Sequence, residues 1–139
     1  QKVSTNRDRS AIRIYLHCAS LVPKRRIWKM EQQIKKQCFA KEHVSIHIIE
    51  SFSLSSLYTP QKLYDIYKDS ILEEINAYSA LLFGVFKKGD LEFTEDHLLV
   101  TLEDTVIAHG YEEELHDILD KIFCERCGQN LIILPTKSR

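Results

Sequence analysis

The sequence predicts an α+β fold built from two small units, a βαβ unit over residues 1–54 and an αββαβ unit over residues 55–139, with mixed sheets packed against helices. Three observations carry that expectation. Residues 57–78 read as one long amphipathic helix with its own start signal. Short alternating runs at 11–17, 44–54, 91–94 and 98–102 read as strands with one buried face. The only Ser-rich stretch, 51–56, falls between the first three elements and the rest, and is the best candidate boundary.

The helix over 57–78 organises the chain. Thr59 can cap it by accepting a hydrogen bond from a free N–H of the first turn, and Pro60 then occupies the first helical position, where its missing N–H costs nothing. Leu63, Tyr64, Tyr67, Ile71, Ile75 and Tyr78 recur at three- and four-residue steps and predict the buried face. Asp65, Asp69 and Glu73 recur at four-residue steps and predict a separate acidic row.

Ahead of this helix, residues 1–10 are polar and read as a frayed end or linker. Ile12, Ile14 and Leu16 alternate with Arg13, Tyr15 and His17, which predicts a half-buried strand. Pro23 opens a helix running to about Phe39, with Ile27, Met30, Ile34 and Cys38 inward and Trp28 near the edge. A strand over 44–54 follows, with Val44, Ile46 and Ile48 on one face; the adjacent pair Ile48 and Ile49 breaks the alternation and suggests a bulge or a buried segment. Behind the central helix, 79–86 is apolar and reads as a short helix or packed loop. A turn at 87–90 and a hairpin come next. Gly110 is read as the start of a helix over about 111–127, which places Glu112, Glu113 and Glu114 in its first turn, where the helix dipole favours anions. Gly128 fits the helix stop, and 131–134 reads as a last strand ended by Pro135.

Composition limits the functional classes. At 139 residues and 44% hydrophobic content the chain can form one ordinary domain or two very small ones. Net charge is −1, yet residues 1–43 hold eleven Lys/Arg against three Asp/Glu, and residues 44–139 hold eight against seventeen. A basic front and an acidic back suit partners of opposite sign, or each other. No apolar run approaches the roughly 18 residues of a membrane span. No secretory signal is visible, four cysteines form no dense framework, and a cytoplasmic setting is expected. The first residue is Gln1 rather than Met, so the chain is expected to be a piece of a longer protein.

Motifs of chemistry are weak. Cys124 and Cys127 form a CxxC, but it closes a helix, whereas redox motifs open one, and no second CxxC completes a zinc site. His43 and His47 are four apart on a strand pattern. Gly84 and Gly89 have P-loop spacing, but Asp90 follows where Lys is needed and would repel phosphate. No metal, cofactor or catalytic set is expected. Lys24, Arg25, Arg26 and Lys29, with Trp28 among them, are the candidate nucleic-acid contacts, since cations can meet phosphate and an aromatic can stack on a base. The second unit's element order resembles a truncated KH fold, without the GxxG loop that clamps nucleotides in that fold.

Three longer words go further: YTPQKLYDIYKDSILEEI over 58–75, LEFTEDHLLVTLEDTV over 91–106 and LHDILDKIFCERCG over 115–128. In them, and from about Lys2 to Leu134, the chain resembles the N-terminal region of PolC-type DNA polymerase III, the replicative polymerase of low-GC Gram-positive bacteria. That resemblance implies a non-catalytic interaction module ahead of an OB-fold, the PHP and exonuclease domains and the polymerase domains, related in fold to the polymerase-binding domain of the clamp-loader τ subunit. The family's catalytic carboxylates lie elsewhere, so none carries over. The expected function is a link between polymerase and replisome proteins, with τ the leading partner and Asp65, Asp69 and Glu73 the candidate contact surface. The alternative is DNA binding through Lys24, Arg25, Arg26 and Lys29.

Overall fold

Strand and helix formation in the first unit follow the alternation of its apolar residues. In the computed structural model, which describes residues 2–5, 10–41, 43–55 and 57–137, the chain divides into two compact units, Gln1–Leu54 and Ser55–Arg139, and each has an α+β architecture. The first has strands β1 (Lys2–Thr5), β2 (Ala11–Cys18) and β3 (Ser45–Phe52) in the order β1-β2-β3, with helix α1 (Lys24–Cys38) as the crossover between the parallel pair β2 and β3. The polar start is not a frayed end. Lys2–Thr5 pairs antiparallel with β2, from Lys2 opposite Tyr15 to Thr5 opposite Ile12. A strand this polar is recruited by the open edge of β2 rather than by its own apolar pattern, which is why alternation misses it. The linker expected over the rest of 1–10 concerns Gln1 and 6–9, which lie outside the described residues, as does Ser56 of the Ser-rich boundary.

β3 buries Ile46, Ile48, Glu50 and Phe52 and turns Ser45, His47 and Ile49 outward. Its register with β2 is unbroken from Ser45 to Phe52, so the adjacent isoleucines make no bulge; Ile49 simply faces outward opposite Tyr15. The outer edge of β3 is partly closed by α1, whose Glu31 carboxylate accepts the Ile48 N–H at 2.7 Å. A charge placed there discourages further strand addition. On α1, Ile27 is buried, Met30 and Ile34 are half-buried, and Cys38 is exposed in the last turn rather than inward.

The second unit contains α2 (Pro60–Tyr78), α3 (Ala80–Lys88), β4 (Asp90–Phe93), β5 (His97–Leu102), α4 (Val106–Asp120), a π-helical segment (Lys121–Arg126) and β6 (Ile132–Lys137). Thr59 caps α2, its Oγ1 accepting the Lys62 N–H at 3.3 Å, and Pro60 takes the first helical position. Leu63, Tyr67, Ile71 and Ile75 are buried; Tyr64 is half-buried and Tyr78 is exposed at the helix end. Ser79 ends α2 and at once caps α3, accepting the Leu82 N–H at 3.2 Å. The apolar stretch after α2 is therefore a helix of its own, with its own capping hydroxyl. The hairpin β4–β5 is antiparallel and β5–β6 parallel, with Leu98, Val100, Leu102 and Ile133 buried on the sheet's inner side.

Two expectations in this unit fail for identifiable reasons. α4 starts at Val106, not after Gly110: Thr105 Oγ1 accepts the Ala108 N–H at 3.1 Å, and Gly110 lies inside the helix. The cap overrides the glycine's penalty of about 1 kcal/mol. Glu112, Glu113 and Glu114 therefore sit beyond the first turn, where the dipole gives them little. β6 runs through Pro135 to Lys137 instead of stopping at Leu134. It is an edge strand, paired only with β5, where a missing N–H can face away from the ladder.

Gly84, in the middle of α3, has nothing of its own unit within 4 Å of where a Cβ would stand. Gly84→Ala is expected to raise stability by about 0.5–1 kcal/mol, the usual gain for alanine over glycine inside a helix. A urea midpoint moved to higher concentration at unchanged slope checks it.

Candidate partner-binding face on α2

The helix that buries Leu63, Tyr67, Ile71 and Ile75 must present its other side outward, and the four-residue step puts Asp65, Asp69 and Glu73 there. Asp65 and Asp69 are exposed and Glu73 is half-buried. Gln61 one turn earlier donates to Asp65 Oδ1 at 3.1 Å, which orients that carboxylate along the row. Ile66 beside them is 64% exposed, so the row carries a large apolar side chain that the unit's own core does not use.

The next row of the same helix, Tyr64, Lys68 and Leu72, forms one wall of a groove of about 400 Å³ completed by Phe86, Lys87, Gly89, Asp90 and Leu91. Tyr64 stacks at a tilt on Phe93, ring centroids 5.7 Å apart, in the offset manner that aromatic pairs prefer. Lys68 Nζ lies 6.0 Å from the centre of the Tyr64 ring, at the outer range of a cation–π contact. Burial raises the Tyr64 phenol above its ordinary pKa, and the Asp65 charge adds to the effect. The phenol therefore stays a hydrogen-bond donor throughout the neutral range. Gly89 is required where the groove meets the sheet: a Cβ there would stand 2.8 Å from the Thr101 carbonyl oxygen and 3.0 Å from Leu102 Cδ2. The α2 face thus offers carboxylates, one apolar knob and an adjoining recess with ammonium groups. That mixture suits a protein surface with its own apolar centre and charged rim.

α2 is fixed from below by a pair that periodicity alone does not reveal. Arg126, in the π-helical segment, donates to both oxygens of Glu74 at 2.7 and 3.0 Å, with side chains 3% and 15% exposed. Both residues fall in phase with apolar stripes, Arg126 four residues after Ile122 and Glu74 three residues after Ile71. A charge in phase with a buried stripe is the signal that could have found them.

The basic cluster is not one surface. Arg25, Arg26 and Lys29 are exposed, but Lys24 points into the first unit, where its Nζ donates to Glu50 at 3.1 and 3.3 Å; the side chains are 9% and 2% exposed. Glu50 occupies a buried position of β3, so the carboxylate draws the nearest cation of α1 inward. Trp28 is half-buried, with the Lys24 ammonium 5.8 Å from its ring, so neither Lys24 nor a fully open indole is presented to a nucleic acid.

The remaining polar groups are local. Among the described residues no group of three or more His, Cys, Asp or Glu side chains could hold a metal ion. Cys124 donates to the Leu131 carbonyl at 3.2 Å. Burial pushes its thiol pKa up, and the Asp120 and Glu125 carboxylates push the same way, opposite to what a reactive thiolate needs. Cys127 is buried. His43 and His47 are both exposed, and His47 Nε2 lies 3.1 Å from Ser45 Oγ. No helix is long and apolar enough to cross a membrane among the described residues. Comparison with protein families, curated proteins and solved structures finds no match to this chain.

Proposed function

We propose that this chain is a non-catalytic protein-docking module, the N-terminal interaction region of a PolC-type replicative DNA polymerase, and that the outer face of α2 joins the polymerase to another replisome protein in the cytoplasm. The observation that carries the docking surface is Ile66, 64% exposed between the carboxylates of Asp65 and Asp69. An exposed apolar residue with two carboxylates beside it suits a contact whose centre dehydrates and whose acidic edge favours a basic partner. The assignment to the polymerase rests on the three sequence words, and the clamp-loader τ subunit is the first partner to test.

Titrating τ against the chain and against Asp65→Lys/Asp69→Lys measures this directly. The expected result is a loss of roughly tenfold or more in affinity, about 1.4 kcal/mol or above, with the far-UV spectrum unchanged. Unchanged affinity for every replisome component tried overturns the surface. The exposed Arg25, Arg26 and Lys29 favour the second reading, DNA binding. It predicts oligonucleotide affinity that falls steeply with salt, through counterion release, and that is lost in Arg25→Glu/Arg26→Glu.

A further inference from the structure

In the first unit, β3 buries Ile46, Ile48 and Glu50 on the side of α1, where Glu50 meets Lys24. The other side of the β2–β3 pair is set out in three rows by the parallel register: Arg13 beside His47, Tyr15 beside Ile49 and His17 beside Ser51. Ser51 is half-buried and the other five are exposed, Tyr15 by 37% and Ile49 by 38%. Parallel strands are usually covered on both faces, yet Ile49 alone of the six is aliphatic, so this side is not made for a second apolar layer. It carries three flat rings and a guanidinium instead. The charges are one-sided as well. Among the described residues of the unit only Glu31 and Glu50 are acidic. Glu50 is turned inward onto Lys24, and Glu31 accepts the Ile48 N–H. The outer side therefore presents a cation and no carboxylate. His17 is held between two hydroxyls, its Nδ1 2.8 Å from Ser51 Oγ and its Nε2 2.6 Å from Ser53 Oγ. A neutral imidazole donates at one nitrogen and accepts at the other, so one of these hydroxyls keeps its own O–H to donate outward.

We propose that this open side of the β2–β3 pair binds single-stranded nucleic acid, with a base stacked on Tyr15 and phosphates met by Arg13 and by the hydroxyls beside His17. Successive rows are two residues, about 7 Å, apart, so the face holds about two or three nucleotides. An aromatic ring on a flat sheet serves any unpaired base, because every base has a π-face. Arg13 supplies the charge complementarity that a phosphate needs and that an acidic face would refuse. The site lies on the side of the sheet opposite α1, apart from Arg25, Arg26 and Lys29, and it shares no residue with the Asp65 and Asp69 row.

Fluorescence anisotropy of a labelled oligothymidylate of about 12 nucleotides, titrated with the 139-residue chain at about 20 and 200 mM salt, tests the proposal. The expected result is weak binding with a shallow salt slope, near about −1, because the face has one permanent cation. Tyr15→Ala is expected to lower affinity about fivefold or more at unchanged slope, and Tyr15→Phe, which keeps the ring, to retain most of it. Arg13→Gln is expected to reduce the slope by about 0.7. Urea curves followed by Trp28 fluorescence check that each variant is folded. No binding at the lower salt overturns the proposal. So does binding that Tyr15→Ala and Arg13→Gln both leave intact, binding lost only in Arg25→Glu/Arg26→Glu, or equal binding of the corresponding duplex, which offers no unstacked base. If Tyr15→Ala instead weakens a replisome protein while no oligonucleotide binds, the face is a protein contact and the proposal fails. Docking by α2 is read separately, from Asp65→Lys/Asp69→Lys, so either result can fail without the other.

Discussion

Replacing Lys24 with alanine is expected to destabilise the first unit by about 3–5 kcal/mol, the range for breaking a buried ion pair by removing one partner. The Glu50 side chain is 2% exposed and cannot turn to water without leaving β3. Removing the ammonium therefore leaves a carboxylate where its charge is poorly solvated, and the loss comes chiefly from that burial rather than from the attraction forgone. Removing both charges acts the other way. Lys24→Met/Glu50→Leu, which keeps the volume, is expected to be near neutral or stabilising. Trp28 is the only tryptophan and lies beside Lys24, so its fluorescence in urea follows this unit selectively. A double variant as unstable as Lys24→Ala would mean that the pair itself, not the desolvated carboxylate, holds α1 on the sheet. For comparison, Arg26→Ala at an exposed position of the same helix turn is expected to change stability by less than about 0.5 kcal/mol.

That contrast between Lys24 and Arg26 marks how far the sequence is legible. Periodicity reports where apolar side chains point, and here it places α1, α2, the β4–β5 hairpin and the buried set Leu63, Tyr67, Ile71 and Ile75. Local capping chemistry is equally readable at Thr59 and Pro60, because the signal and its effect are within one turn of each other. What is not readable depends on residues far apart in the chain. Lys24 looks like one of four equivalent cations until Glu50, 26 residues later, draws it inward. β1 has no apolar pattern and exists because β2 has an open edge. Pro135 looks like a stop until β6 is known to be an edge strand. Gly110 looks like a start because the competing cap at Thr105 is a single residue. On α2 the acidic row is legible as a row. Its neighbour Ile66 gains meaning only when the buried face is fixed and Ile66 is found outside it.

Arg126→Ala is expected to cost the second unit about 3 kcal/mol, and to weaken partner binding without touching the binding surface. The guanidinium is 3% exposed and meets both oxygens of Glu74, the bidentate geometry that makes Arg–carboxylate pairs strong. Its position depends on the π-helical segment, in which the Cys127 N–H bonds back to the Ile122 carbonyl at 3.2 Å. That five-residue step is the wider turn of a π-bulge. Gly128, at φ +69°, then ends the turn. The Glu74 side chain is 15% exposed, so water can recover part of its solvation once Arg126 is gone. This sets the expected loss at the low end of the range for buried pairs. Arg126→Lys keeps the charge but not the fork, and is expected to cost less than alanine and more than nothing. Glu74 sits on α2 one residue after Glu73, so the pair anchors the same helix that carries Asp65, Asp69 and Ile66. If α2 must be held rigid to bind, Arg126→Ala weakens τ binding at temperatures where the unit is still folded, and Arg126→Lys restores part of it. Full affinity in a destabilised Arg126→Ala would instead show that the α2 face binds without this anchor. Denaturant curves by far-UV circular dichroism, run beside the binding titration, separate those outcomes.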